Sequence, residues 1–360
     1  MADAGLLLDF AINGLVLGSI LALAAIGLTL VYGILNLSNF AHGDYLTLGA
    51  YSAFLFNVTL AKNGSITAAV WVGTIAALVL PGVAAVDRWR LHRLNATERR
   101  VLVGAGAVLL LTTGAQVWGA DLGLSRIFSD GILLPTMLAV LSVPAFAVLM
   151  DLLLWRPLRR KRATLLTFII VSIGLALALR HLIAMRFGSS LQTFDRTTGL
   201  PFEFGDIVIT RVQLTIIVVA VVLILLVHLF LRYTRVGKAL RALADNPDLA
   251  RASGIDVDRM ILYVWIISGA LAAVAGVLLA LNVNVNPSLG WRLILPIFAS
   301  VVLGGIGSAY GAMLGAMVIG LSMELSVAID TSGSYRPAVA FMVLIVVLLV
   351  RPQGILGGRA

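Results

Sequence analysis

Residues 8–35 read LDFAINGLVLGSILALAAIGLTLVYGIL, and Asp9 is the only charged side chain among them. About 20 consecutive apolar residues are enough for a helix to cross a bilayer. No core of a soluble domain calls for a run of this length. The stretch carries no basic cluster ahead of it and no convincing cleavage site behind it, so it reads as a retained first helix and not as a signal peptide. Ten further apolar segments follow at 40–60, 66–86, 101–119, 131–154, 164–185, 207–231, 260–282, 284–303, 309–327 and 336–350. The whole chain agrees with its beginning. It is 60% hydrophobic and 12% charged with a mean hydropathy of +1.05, whereas soluble domains carry about 25% charged residues. The fold class expected is all-α, a polytopic transmembrane helical bundle of 9 to 11 membrane segments in one transmembrane domain over 1–360, with no soluble domain.

The net charge of +9 is not spread evenly. Basic residues gather at Arg88–Arg100, Arg156–Arg162, Arg232–Arg259 and Arg351–Arg359, and these four regions hold eighteen of the twenty-six. Loops rich in Lys and Arg stay cytoplasmic. Alternating crossings between them put the N-terminus outside and the C-terminus in the cytoplasm, provided 284–327 counts as two segments. A charge so placed marks the face of a lipid bilayer, and no nucleic-acid partner is expected. With no cysteine in the chain, disulfides and thiolate chemistry are excluded.

Three places carry polar or irregular chemistry. Asn36, Asn39, His42 and Asp44 fall within nine residues between two apolar segments. An Asp in hydrocarbon costs roughly 2.5–3.5 kcal/mol on insertion scales, so such groups face a cavity or one another. They either line a substrate pathway or form a capped turn, with Asn36 or Asn39 as the N-cap. Gly304-Gly305-Ile306-Gly307-Ser308 interrupts the last apolar stretch; it is either a re-entrant break beside a pathway or a plain turn. Beyond it Gly307, Gly311 and Gly315 recur every four residues, a spacing that makes a close-packing helix face.

The third place is the loop 232–259. Thr234 reads as the cap of a helix through Ala244. Asn246-Pro247-Asp248 then reads as an N-cap, an N1 proline and an acid in the first turn, with Gly254 as the stop. A helix of two turns does not persist alone in water. Either the rest of this protein or a partner must hold it; Leu249, Ala250, Ala252 and Ser253 ringed by Arg241, Asp245 and Arg251 fit a knob for a cytoplasmic protein, and the alternative is an amphipathic loop on the membrane surface. Arg180 and His181, near a helix end, read as side chains that snorkel to the outer interface.

In this order the residues resemble a known family. Gly14-Leu-Val-Leu-Gly-Ser19, Ile26-Gly-Leu-Thr-Leu-Val-Tyr-Gly33, Asn39-Phe-Ala-His-Gly-Asp44, Arg156-Pro157, Arg232-Tyr-Thr-Arg-Val-Gly-Lys238 onward to Gly254-Ile255, Leu303-Gly-Gly-Ile-Gly-Ser308 and Arg351-Pro-Gln-Gly-Ile-Leu-Gly357 are similar to the integral membrane permeases of ABC importers for branched-chain and other neutral amino acids. Related urea permeases share the pattern. The resemblance implies a second, homologous permease chain, two cytoplasmic ABC ATPase subunits and an extracytoplasmic substrate-binding protein. It implies that Arg241, Asp245, Asn246 and Gly254 belong to an ATPase coupling segment. For the pathway the polar cluster itself points to Asn36, Asn39, His42 and Asp44, with Gly304, Gly305 and Gly307 shaping the break. Residues 66–119 read as an extra helical pair beyond the family's pattern. Asp121–Asp130 and Arg186–Asp206 read as external loops, the latter a candidate surface for the delivery protein.

The chain itself is not expected to be an enzyme or to bind a cofactor; ATP is used by the partner subunits. Its only Gly-Lys, Gly237-Lys238, is followed by Ala239 and preceded by Arg232 where a P-loop needs glycine. An ion-coupled secondary transporter is the rival, with Asp44, Asp151, Glu324 and Asp330 as the acids of a relay. A hydrolase or metal site finds no support in His42, His92, His181 and His228, which lie on separate segments.

Overall fold

The computed structural model describes residues 4–62, 133–194, 201–204, 207–328 and 333–356. The expected helical pair at 66–119, the loop Asp121–Asp130, His92 and Asp330 lie outside these residues. The described chain is a multi-pass helical bundle. Its elements are α1 (Ala4–Leu35), α2 (His42–Lys62), α3 (Leu133–Met150), a π-helical turn (Asp151–Trp155), α4 (Arg156–Arg160), α5 (Leu165–Phe187), a hairpin of β1 (Phe202–Phe204) and β2 (Ile207–Ile209), α6 (Arg211–Tyr233), α7 (Arg235–Asp245), α8 (Pro247–Ala252), α9 (Val257–Asn282), α10 (Trp291–Gly304), α11 (Ala309–Leu325) and α12 (Arg336–Val350). Six helical stretches are long and apolar enough to span a membrane, and α10 and α12 are shorter apolar helices.

α1 is apolar on every side, as a helix at the centre of a bundle must be. Ile20 through Ala25 are fully buried, enclosed by α9, α10, α11 and α6. α5 and α6 are equally apolar yet present Leu166, Ile170, Val218, Val222 and Leu225 outward, the surface expected of helices that meet lipid or another membrane chain. Backbones approach closely where side chains vanish. A Cβ on Gly320 of α11 would collide with the backbone of Gly18 on α1, and one on Gly311 or Gly315 with α10. Gly307 does not share that face as its spacing suggests. It sits ahead of α11 at φ +85°, against Gly33 of α1, and donates its N–H to Thr29 Oγ1 at 3.1 Å.

The basic residues mark one end of the bundle. There Asp151 accepts from Trp265 Nε1 at 2.7 Å and from Arg159 Nη1 at 2.8 Å, and Arg156 pairs with Asp258. Trp155 stacks parallel to Trp265 at 6.3 Å. The α3–α4 corner is thereby clamped to the start of α9. At this same end the Ile355 and Leu356 N–H groups bond the Leu303 and Gly304 carbonyls. At the far end Gln213 donates to Asn13 at 2.8 Å. The described chain thus starts at the far end and finishes at the basic one, as an odd number of crossings requires.

Two expectations about the irregular stretches are corrected. The segment 284–303 is not a continuous crossing helix. α10 begins only at Trp291, and its 14 residues span about 21 Å of a hydrocarbon core that is roughly 30 Å thick. The irregular backbone at depth is therefore 283–290, before α10, while Gly304–Ser308 is a turn on the basic side of the bundle. Asn36 is not an N-cap. It has φ +48° and ends α1, a left-handed position that asparagine tolerates.

Candidate functional site

α2 begins deep inside the bundle. Past Asn36 the chain doubles back along α1 until His42 Nε2 lies 3.0 Å from the Ala24 carbonyl, eleven residues or about 16 Å from the end of that helix. Non-helical backbone at such depth persists only where protein supplies its hydrogen bonds. Here Asn39 Oδ1 accepts from Ala41 N at 3.1 Å and the Asn39 carbonyl from His42 N at 3.2 Å. The Ser172 hydroxyl on α5 accepts from Phe40 N at 3.3 Å.

The same arrangement recurs before α10. Asn286 Oδ1 accepts from Ser288 N at 3.1 Å, and the Asn286 carbonyl from Leu289 N at 3.1 Å. Asn39-x-x-x-Gly43 and Asn286-x-x-x-Gly290 share spacing and bonding. The two glycines touch: a Cβ on either would strike the carbonyl of the other, and Gly290 N donates to Thr47 Oγ1 at 2.9 Å. From this contact α2 runs to the far end and α10 to the basic end. Two helix N-termini therefore converge at mid-depth, each carrying a partial positive charge.

The charged groups follow that field. Asp44, fully buried, sits in the first turn of α2, with Arg180 Nη2 3.5 Å from Oδ2. Arg180 also lies 4.1 Å over the Trp291 ring. The separation exceeds the 2.7–2.9 Å of a closed charge-assisted bond. Both Asp44 oxygens, and Nε and Nη2 of Arg180, lack hydrogen-bond partners among the described residues. This corrects the snorkelling expectation for Arg180, whose side chain is drawn inward by a buried carboxylate. His181 is exposed and bonds its Nδ1–H to the Leu177 carbonyl one turn back.

His42 is fully buried. Its partner, a carbonyl, can only accept, so Nε2 carries the proton and Nδ1 is left as an acceptor without a partner among the described residues. A methyl on Gly27 would press on both this ring and the Ser268 carbonyl of α9 at 3.2 Å. Asn39, His42 and Asp44 are thus brought together. Asn36 stands apart on the surface at the end of α1, and Gly304, Gly305 and Gly307 lie further toward the basic side, where Gly307 meets Thr29 and Gly33. Reading the sequence alone missed Arg180, Ser172, Thr47, Asn286, Gly290 and Trp291. The repeated Asn-x-x-x-Gly was a signal for Asn286 and Gly290; the other four become site residues only through the fold.

Two cavities open off this region. One of about 220 Å³ lies between α5 and the 283–292 stretch, lined by Arg180, His181, Asn286, Ser288 and Arg292 among others. A larger one of about 600 Å³ at the far end is lined in part by Asn13, Gln213, Asn284, Glu324 and Arg336.

At the basic end α7 and α8 take the expected form. Thr234 Oγ1 accepts from Gly237 N at 2.9 Å, Asn246 Oδ1 from Leu249 N at 2.9 Å, and Gly254 turns the chain at φ +81°. The bundle holds this pair from behind through Leu240, Leu243 and Ala250, all buried. Arg241, Asp245, Asn246, Leu249 and Gly254 are exposed on its other side.

Comparison with known proteins agrees with this architecture. The family described as branched-chain amino acid transport system / permease component matches residues 10–116 and 96–348. The high-affinity branched-chain amino acid transport system permease protein LivH of Escherichia coli K12 is 34% identical over 352 residues, covering 96% of this chain and 94% of its own. BraD of Pseudomonas aeruginosa, described in the same terms, is 31% identical with the same coverage of both chains. A probable LivH of Methanocaldococcus jannaschii is 28% identical over 96% of this chain and 91% of its own. No solved structure matches significantly. The chain belongs to the family of branched-chain amino acid transport system permease components.

Proposed function

We propose that this chain is the transmembrane permease subunit of an ABC importer that moves branched-chain or other neutral amino acids across the cell membrane, driven by ATP hydrolysed on partner subunits. The observation that carries the reading is the meeting of α2 and α10, N-terminus to N-terminus, beside Asn39, His42, Asp44 and Arg180. Discontinuous helices that meet at mid-depth are how transporters bring polar backbone and side chains to a substrate. Arg292, at the second position of α10, is exposed and forms no ion pair with a described residue. An arginine facing hydrocarbon there costs about 2.5–3.5 kcal/mol. That flank therefore borders water and the second permease chain, and the pathway runs between the two.

The basic end faces the cytoplasm by its charge, which sets the N-terminus outside and the C-terminus inside. α7 and α8 then stand where two cytoplasmic ATPases would grip them, with Arg241, Asp245, Asn246 and Gly254 as the gripped surface. Force reaches the site by a short route. α8 leads into α9, which is clamped by Arg156 and Asp151 at its start and carries Ser268 beside His42 further along. The external binding protein docks at the far end, over the larger cavity and the hairpin.

An ion-coupled relay is disfavoured by where the acids lie. Asp44, Asp151 and Glu324 each face an arginine, at 3.5, 2.8 and 2.9 Å, and they stand on three separate elements, α2, the π-helical turn and α11, where a relay needs acids in succession. Reconstitution in liposomes with the ATPase subunits and binding protein, following labelled leucine, alanine and urea, tests the function. ATP-dependent accumulation of leucine or alanine is expected. Accumulation of urea alone would move the substrate to small amides, and flux driven by an ion gradient without ATP would overturn the importer.

A further inference from the structure

We infer that the cavity of about 220 Å³ between α5 and the 283–292 stretch holds the α-carboxylate of the transported amino acid, gripped by Arg180 and Arg292. The inference rests on the permease reading and specifies which side chains meet the substrate and by which chemistry.

The cavity is built for one negative charge. Arg180 and Arg292 line it together with Asn286 and Ser288, and no carboxylate is among its lining residues. Asp44 lies behind Arg180 and offsets one of the two positive charges, leaving the lining with an excess of about one. The N-terminus of α10, where Arg292 stands, adds to the same sign. Each of these features is costly at membrane depth unless an anion visits.

The geometry suits a carboxylate more than other small anions. A guanidinium is planar and presents two parallel N–H groups to two oxygens in a plane. Arg180 is held flat by Trp291 at 4.1 Å; its Nε and Nη2 are buried without a hydrogen-bond acceptor among the described residues, and Nη2 faces Asp44 at 3.5 Å. That leaves Nη1 as the Arg180 nitrogen for a ligand, so that one carboxylate oxygen meets Arg180 and the other Arg292. Trp291 and Asp44 are positioning residues that act through Arg180. The volume falls below the 300–1,000 Å³ typical of drug-sized ligands, which fits an amino-acid head group whose side chain extends toward the second permease chain.

The test uses the complete complex with its ATPases in nanodiscs, without binding protein, and saturation-transfer NMR with three probes. Leucine and 4-methylpentanoate carry the carboxylate; leucinol carries the ammonium and lacks the carboxylate. Strong transfer to the two acids is expected, with leucinol at least tenfold weaker. The R292Q variant, at an exposed position that the fold does not need, should weaken leucine at least tenfold, and R180K should fall between it and the wild type. A purely structural role would lower leucine and leucinol alike. Leucinol bound as well as leucine, or R292Q unchanged, overturns the carboxylate site and leaves the permease standing if the same complex imports leucine. No import of any amino acid by the wild-type complex would remove the permease reading and this inference together.

Discussion

The two interrupted crossings, α1 into α2 and α9 into α10, make the same turn in opposite directions and were unequally visible. Both end a long helix, continue through a few extended residues fixed by an Asx turn, and start a new helix at mid-depth. The first carries its chemistry in an imidazole and a carboxylate, His42 and Asp44, buried beside α1. The second carries Asn286, Ser288 and Gly290, with Arg292 exposed on the flank. What differs is the environment each must satisfy: the first is enclosed by protein at His42 and Asp44, while the second leaves Arg292 exposed. A polar cluster in an apolar run announces itself, and a run of Asn, Pro and Gly looks like a loop until its partner is seen.

The largest expected effect comes from separating the two turns. Gly290→Val drives a side chain into the Gly43 carbonyl. The complex should fail to assemble, read by size-exclusion chromatography; normal assembly and uptake would show that the contact is dispensable. Next is the ion pair. Removing one member of a buried pair costs about 3–5 kcal/mol because the other charge is stranded. Asp44→Asn should lower the melting temperature of the purified complex more than the double change Asp44→Asn with Arg180→Gln does. A double variant as unstable as the sum of the singles would mean the two side chains do not interact.

A smaller effect sharpens the likeness itself. Asn39→Ala and Asn286→Ala each remove one Asx-turn hydrogen bond, worth about 1 kcal/mol, and should lower thermal stability by similar amounts; a large inequality would show that the two turns are alike only in outline. At the basic end the expected change is in coupling more than in stability. Substituting Asp245, Asn246 and Gly254 should uncouple ATP hydrolysis from uptake in a properly inserted complex. Intact ATP-driven uptake would place the ATPase contact elsewhere.

Much of the fold was legible because the bilayer forces it. Long apolar runs had to be helices, basic loops had to share one end, and Thr234, Asn246 and Gly254 had to cap what lies between them. Depth was not legible. In 284–303 the run Asn-Val-Asn-Pro-Ser-Leu-Gly at 284–290 marks a break, but nothing in it announces that the break lies inside the bundle and not at its surface. Nor could one sequence show that Arg180 turns inward. An arginine near a helix end snorkels by default, and only the buried carboxylate of Asp44, far away in the chain, decides otherwise. The packing stripe was read one residue too far, at Gly307, because periodicity carries on past a helix start that Ser308 in fact caps.

That the 283–292 stretch borders a watery path is the claim on which the account turns. The chain has no cysteine, so S288C and R292C can be probed with a membrane-impermeant thiol reagent in assembled proteoliposomes. The account expects both to be modified, uptake by S288C to stop on modification, and L225C on the outward face of α6 to remain unlabelled. Unlabelled S288C and R292C in a complex that labels at the far-end loop position S190C would contradict it.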